Sequence, residues 1–201
     1  MSLIAVILIG IALFVVSTNY YVAQLNRTHE RPLLVDANNL VLKSAHRLLG
    51  ILPITPSENS LQFVVMPSFG NNWVAVSVTE VNGVGVGHAI IEDQKRLSHE
   101  TRTFVVPMLE LRPFLERWDA LTDGYSGESR MLTDGNPMAF ERKRKNSFTS
   151  GVGNSPCHED VLNDWAAQRL VRYVPELQNF REVWLDKMLT SDACSTSIFK
   201  F

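Results

Sequence analysis

The chain has 201 residues, 45% of them hydrophobic and 20% charged, with a formal net charge of -2 and a pI near 6.2. That size supports one ordinary core and leaves no room for two large ones. The charge balance excludes a global attraction to nucleic acid, whose binders concentrate a basic excess on one face, and two cysteines are too few for a disulfide scaffold.

Residues 3–16 read LIAVILIGIALFVV without a charge, and residues 2–22 add only Ser, Thr and Asn19 as polar groups apart from Tyr20 and Tyr21. A helix rising about 1.5 Å per residue needs about 20 residues to cross the hydrocarbon, and tyrosines favour the headgroup layer. Residues 1–25 are therefore read as a single transmembrane anchor with its interface. A cleaved signal peptide competes, with Val15-Val16-Ser17 as a cleavage site but no basic n-region. So does a buried soluble helix, which would need the domain to cover it on all sides. Arg27 and Arg31 follow the run and no cation precedes it, which tilts the domain toward the cytoplasm; two cations leave the side open.

Residues 26–35 form a polar juxtamembrane linker in which Pro32 discourages helix at Arg31. The rest, 36–201, is expected to be one α+β domain, a short antiparallel β-meander packed against several helices. Asp36 is a candidate cap for a helix with Val41, Ala45, Leu48 and Leu52 on one face and a stop at Gly50 and Pro53. Residues 73–80 (WVAVSVTE) and 84–91 (VGVGHAII) flank Asn82-Gly83, a strong hairpin signal because both central residues of a type I′ turn need positive φ. Pairing Val81 with Val84 sets Val78 against Gly87, Val76 against Ala89 and Val74 against Ile91, with His88 facing Ser77. The large-against-small pattern leaves room for a packed helix. Leu61, Phe63 and Val65 alternate as a preceding strand joined through FGNN, and residues 103–106 are a short fourth candidate.

Pro113 can open a helix through Phe114, Leu115, Trp118 and Leu121, with Glu110, Glu116, Asp119 and Asp123 as its solvated acidic face. Residues 122–154 are rich in Gly, Ser, Asp, Asn and charge and read as a long polar loop. Ser155 and Pro156 then start a helix with Leu162, Trp165, Ala166, Leu170 and Tyr173 on one stripe. Pro175 opens another, through Leu177, Phe180, Trp184, Leu185 and Met188.

The chemistry-bearing residues are few. Cys157, near a helix start, is the best nucleophile candidate, with His158 or His88 as base. Yet Glu159 and Asp160 in the same turn oppose a thiolate, and adjacent helical residues diverge by about 100°. A structural role, or a disulfide between Cys157 and Cys194, is the simpler reading. Neither SGVGNS (150–155) nor GVGVG (83–87) matches a phosphate-binding loop, so no nucleotide is expected; the scattered histidines indicate neither metal nor cofactor. Arg142, Lys143, Arg144 and Lys145 are read as a solvated loop or, beside an anchor, as a contact for anionic lipid headgroups that a phosphate on Ser147 would weaken.

The expectation is thus a single-pass membrane-anchored, non-enzymatic subunit or accessory factor of a larger membrane or envelope assembly, with lipids and other proteins as partners and no nucleic acid. A membrane-tethered thiol enzyme using Cys157 with a histidine is one alternative. An extracytoplasmic, pilin-like structural subunit is another, sharing the apolar N-terminal helix, the sheet and two late cysteines. No residue motif carries that likeness, position 5 being Ala5 where such helices carry an acidic residue near the start.

Overall fold

The computed structural model describes residues 3–34, 39–53, 57–68, 70–127, 136–154 and 158–180. Among them are four α-helices, a 3-10 turn and one six-stranded antiparallel sheet, an α+β arrangement. Helix α1 (Leu3–Asn26) is long and apolar enough to cross a membrane, and no residue of Ile4–Tyr21 is buried within the chain.

The strands are β1 (Asn59–Val65), β2 (Asn72–Val81), β3 (Val84–Asp93), β4 (Ser98–Val106), β5 (Met138–Arg144) and β6 (Ser147–Gly153), in the order β4-β3-β2-β1-β5-β6. The β2–β3 hairpin has the register expected from Asn82-Gly83, with φ of 50° and 79° at the two turn residues and Val81 opposite Val84. The space beside the β3 glycines, Gly87 opposite Val78 and Gly85 opposite Glu80, is filled from two directions. A Cβ on Gly87 would meet the Phe104 ring at 2.1 Å, and one on Gly85 would meet Leu111 at 2.8 Å. A strand neighbour thus takes part of the space expected for a helix. β4 spans nine residues rather than four, because its whole length pairs with β3.

One face of the sheet carries the larger core. Leu61, Phe63, Val76, Val78 and Phe140 point toward α3 (Met108–Thr122), α4 (Glu159–Leu170) and the 3-10 turn (Pro175–Phe180), with Phe114, Trp118 and Leu162 fully buried between the layers. The opposite face holds α2 (Leu40–Leu49), whose Ala45, Leu48 and Leu49 cover Val64, Ala75, Ile90 and Ala139. Helix α2 is capped by Asn39, whose Oδ1 accepts from the Leu42 N–H at 3.1 Å, instead of by Asp36, which lies outside the described residues.

Two further expectations are corrected. Helix α3 begins at Met108 rather than Pro113, with Pro107 at its N-cap position and Pro113 inside. The missing Pro113 N–H frees the carbonyl of Leu109, a residue 91% exposed, so water can satisfy it and the proline is tolerated. The polar loop expected over 122–154 contains the β5–β6 hairpin. Its residues alternate as strands do, with Met138, Phe140 and Arg142 buried, Lys143 exposed and Glu141 half-buried. Composition concealed this because an inward-facing arginine counts as loop-like until its partner is known. The 26–35 segment is not a free spacer either, for its backbone docks on the β6 edge through a bridge between His29 and Ser150.

Candidate membrane-proximal site

The segment leaving α1 is fixed at successive points. Thr28 donates to the Tyr125 carbonyl from both its N–H and its hydroxyl, each at 3.1 Å. His29 and Ser150 exchange two backbone hydrogen bonds of 2.8 Å, and the Ser150 hydroxyl donates to the Arg31 carbonyl at 2.5 Å. Leu33 donates its N–H to Glu141 Oε1 at 2.8 Å and buries its side chain beside α2. Gly127, at φ +82°, lies so close to α1 that a Cβ would come within 1.9 Å of the Ala23 carbonyl oxygen. No side chain but hydrogen fits there.

Ser150 and Glu141 end a polar row that crosses the α2 face of the sheet. Pairing places Thr103, His88, Ser77, Gln62, Glu141 and Ser150 opposite one another on successive strands. Gln62 donates to Glu141 Oε2 at 2.5 Å, and Thr103 Oγ1 lies 3.3 Å from His88 Nδ1. With one Glu141 oxygen on β1's glutamine and the other on the Leu33 amide, this carboxylate joins the segment after α1 to the sheet centre.

The four-cation run is divided by the strand geometry. Arg142 is 3% exposed and bonds Asp119 through Nε (2.9 Å) and Nη2 (3.2 Å), while Nη1 reaches Asn59 Oδ1 at 2.6 Å and the carbonyls of Ser60 and Lys143. Burial pulls its pKa down and the Asp119 hydrogen bonds oppose that, so the guanidinium is held as a structural cation. Arg144 makes two bonds to Asp123, at 2.8 and 2.9 Å, which raise its pKa. Asp119 and Asp123 are therefore arginine partners rather than members of a solvated face. Lys143 and Lys145 are exposed.

Between these two structures lies a groove of about 730 Å³, lined by linker residues 27–30, the loop at 123–126 and, from the β5–β6 hairpin, Arg144 with residues 146–149. His29 is held below the ordinary histidine pKa, first by burial and then by the positive charge of Arg27 and Arg31. The sequence brought out Arg144 and Ser147. It gave no sign that Arg27 and His29 stand beside them, because that adjacency comes from a strand bridge spanning more than a hundred residues.

The nucleophile candidates fall elsewhere. Cys157 and Cys194, with the proposed start at Ser155 and Pro156, lie outside the described residues; so do Trp184, Leu185 and Met188. His158 precedes α4 rather than lying within it, is 4% exposed, and is occupied at both ring nitrogens, by Glu159 Oε1 at 2.9 Å and the Leu121 carbonyl at 3.2 Å. Its ring stacks on Tyr125, 3.6 Å between centroids and 10° from parallel. His88 stands on the opposite face of the sheet from His158, in the polar row. The two histidines do not meet.

No family model, curated protein or solved structure matches this chain.

Proposed function

We propose that this protein is a single-pass membrane-anchored, non-enzymatic subunit or accessory factor of a larger membrane or envelope assembly. The observation that carries this is the continuity between α1 and the sheet. An apolar helix with no residue of Ile4–Tyr21 buried in the chain passes directly into a segment hydrogen-bonded to Tyr125, Ser150 and Glu141. A hydrocarbon environment would satisfy the helix, and the clamp would hold the domain at one orientation to the bilayer.

The subunit aspect is supported by the far edge of the sheet. β4 pairs on one side only among the described residues, and Leu97, Val105 and Leu109 stand exposed at its ends. A nine-residue edge whose alternate, outward-facing backbone groups have no strand partner among the described residues is a template for strand addition by another chain. The buried, doubly occupied His158 offers no base to a thiol enzyme.

The test is extraction of cell membranes with alkaline carbonate, followed by reporters fused after Phe201 that are active on one side only, and by cross-linking in intact membranes. Full-length chain in the pellet, one active reporter and a cross-linked species above monomer size are expected. Release of a shortened, soluble polypeptide beginning downstream of Tyr21 would establish a signal peptide instead.

A further inference from the structure

We infer that the groove between the linker and the β5–β6 hairpin binds the phosphate of an anionic lipid headgroup from the leaflet nearest the domain. The inference rests on the anchored reading above and adds a specific ligand and site to it.

Position is the first argument. Arg27 follows Tyr21 by six residues, a rise of about 9 Å if the helix spacing is kept, while the headgroup region adds about 5–8 Å on each side of the hydrocarbon. An arginine side chain reaching back along its stem places its guanidinium among the phosphates. The groove cannot swing away from this level, because Thr28 is bonded to Tyr125 and Gly127 is pressed against Ala23.

Charge is the second. Asp123 is neutralised by Arg144, and among the described residues neither Arg27 nor Arg31 has a salt-bridge partner. Glu30, also in the lining, opposes an anion. The lining itself balances, Arg27 and Arg144 against Glu30 and Asp123, and it is Arg31, next in the chain but outside the lining, that leaves the neighbourhood positive; burial first, and then Arg27 and Arg31, lower the His29 pKa. Hydroxyl groups of Ser126 and Thr149 line the groove and can donate to phosphate oxygens. The site differs from the contact expected on Arg142 to Lys145. Arg142 is consumed by Asp119, and the available cations come instead from the segment that leaves the membrane.

The experiment uses the full chain purified in a neutral detergent, titrated with phosphatidylglycerol or phosphatidylcholine, with retained lipid counted by native mass spectrometry. Preferential retention of phosphatidylglycerol is expected. Arg27→Gln should weaken it about five-fold, the worth of one cation at a lipid surface, and Arg27→Lys should preserve it. Arg96→Gln, an exposed cation in the β3–β4 turn, should change nothing. Equal retention of the two lipids, or an Arg27→Gln chain that retains phosphatidylglycerol as the parent does, overturns the inference. So does displacement of the lipid by an equal concentration of glycerol phosphate, which would make the groove a free-phosphate site. A chain that stays soluble without detergent sinks the anchored reading instead, and the two failures are told apart.

Discussion

Arg142 on β5 and Asp119 on α3 meet through two near-parallel hydrogen bonds, Nε to Oδ1 at 2.9 Å and Nη2 to Oδ2 at 3.2 Å, with the arginine side chain 3% exposed. This pair sets where the C-terminal half of α3 lies on the sheet, and it brings Asp123 one turn later within reach of Arg144.

Removing Asp119 leaves a buried guanidinium with three neutral acceptors and no carboxylate bonded to it, Asp123 acting only from a distance. Asp119→Ala should therefore cost about 3 kcal/mol. Arg142→Lys should cost a similar amount, since one ammonium cannot reproduce the fork to Asp119 and Asn59. Urea unfolding in detergent, followed by the summed fluorescence of the four tryptophans, measures both. A loss below about 0.5 kcal/mol for Asp119→Ala, the size of an ordinary surface change, would show that the pair is not structural.

Glu92 on β3 is bonded by Arg47 of α2 at both oxygens and by Gln94 at 2.7 Å, and the Arg47 hydrogen bonds hold its pKa below the ordinary glutamate value. A depressed carboxylate pKa contributes stability that is present above the unfolded value, about 4.3, and is lost as pH falls through the lower folded value. The parent chain should thus lose stability on acidification below about pH 4.3, and Glu92→Gln should be less stable at neutral pH with a flatter acid limb. Thermal melts across pH check it; parallel acid limbs for the two proteins would count against it.

The clamp on the segment after α1 should open when its bridge is broken. His29→Pro removes the N–H donated to the Ser150 carbonyl, and the loss of about 1.4 kcal/mol of hydrogen bonding raises local opening about ten-fold. Trypsin cleavage after Arg27 should quicken by that factor while the global unfolding midpoint moves little; the bond after Arg31 precedes Pro32 and resists trypsin. Unchanged cleavage would mean that the bridge does not restrain the segment.

Two glycines in the loop beside α1 separate strain from collision. Gly124, at φ +68°, faces open space, so Gly124→Ala should cost only the left-handed conformation, about 1 kcal/mol. Gly127→Ala adds a Cβ within 1.9 Å of the Ala23 carbonyl, where backbone on both sides must move. It should displace the loop from α1, seen as a longer distance between spin labels placed on Ser126 and at a position near the end of α1. Equal behaviour of the two variants would remove the argument that this loop is pressed on the helix.

Much of the meander was legible because its signals are local. Asn82-Gly83 sets a turn by backbone conformation alone, and a turn that sets one pair sets every pair beyond it. The same holds for the α2 stripe and for α1, where the run of apolar residues needs no partner to be recognised. The β5–β6 hairpin was missed for the opposite reason. Its inward positions include Arg142, and its turn is Lys145-Asn146, with φ +43° at the lysine where glycine would have been expected. Period two survives in MAFERKR only if arginine is allowed to face a core, which requires Asp119 from another element.

What the sequence determined by itself is the presence of a membrane-length apolar helix, the α+β character and the register of the central hairpin, each a property of neighbouring residues. Only the tertiary structure decided which cations are spent inside the fold, that His158 is sealed between Glu159, Leu121 and Tyr125, and that Arg27 stands across a groove from Arg144. Those outcomes depend on burial and on partners distant in the chain, and an ionised group takes its role from the charge it meets rather than from the residues beside it.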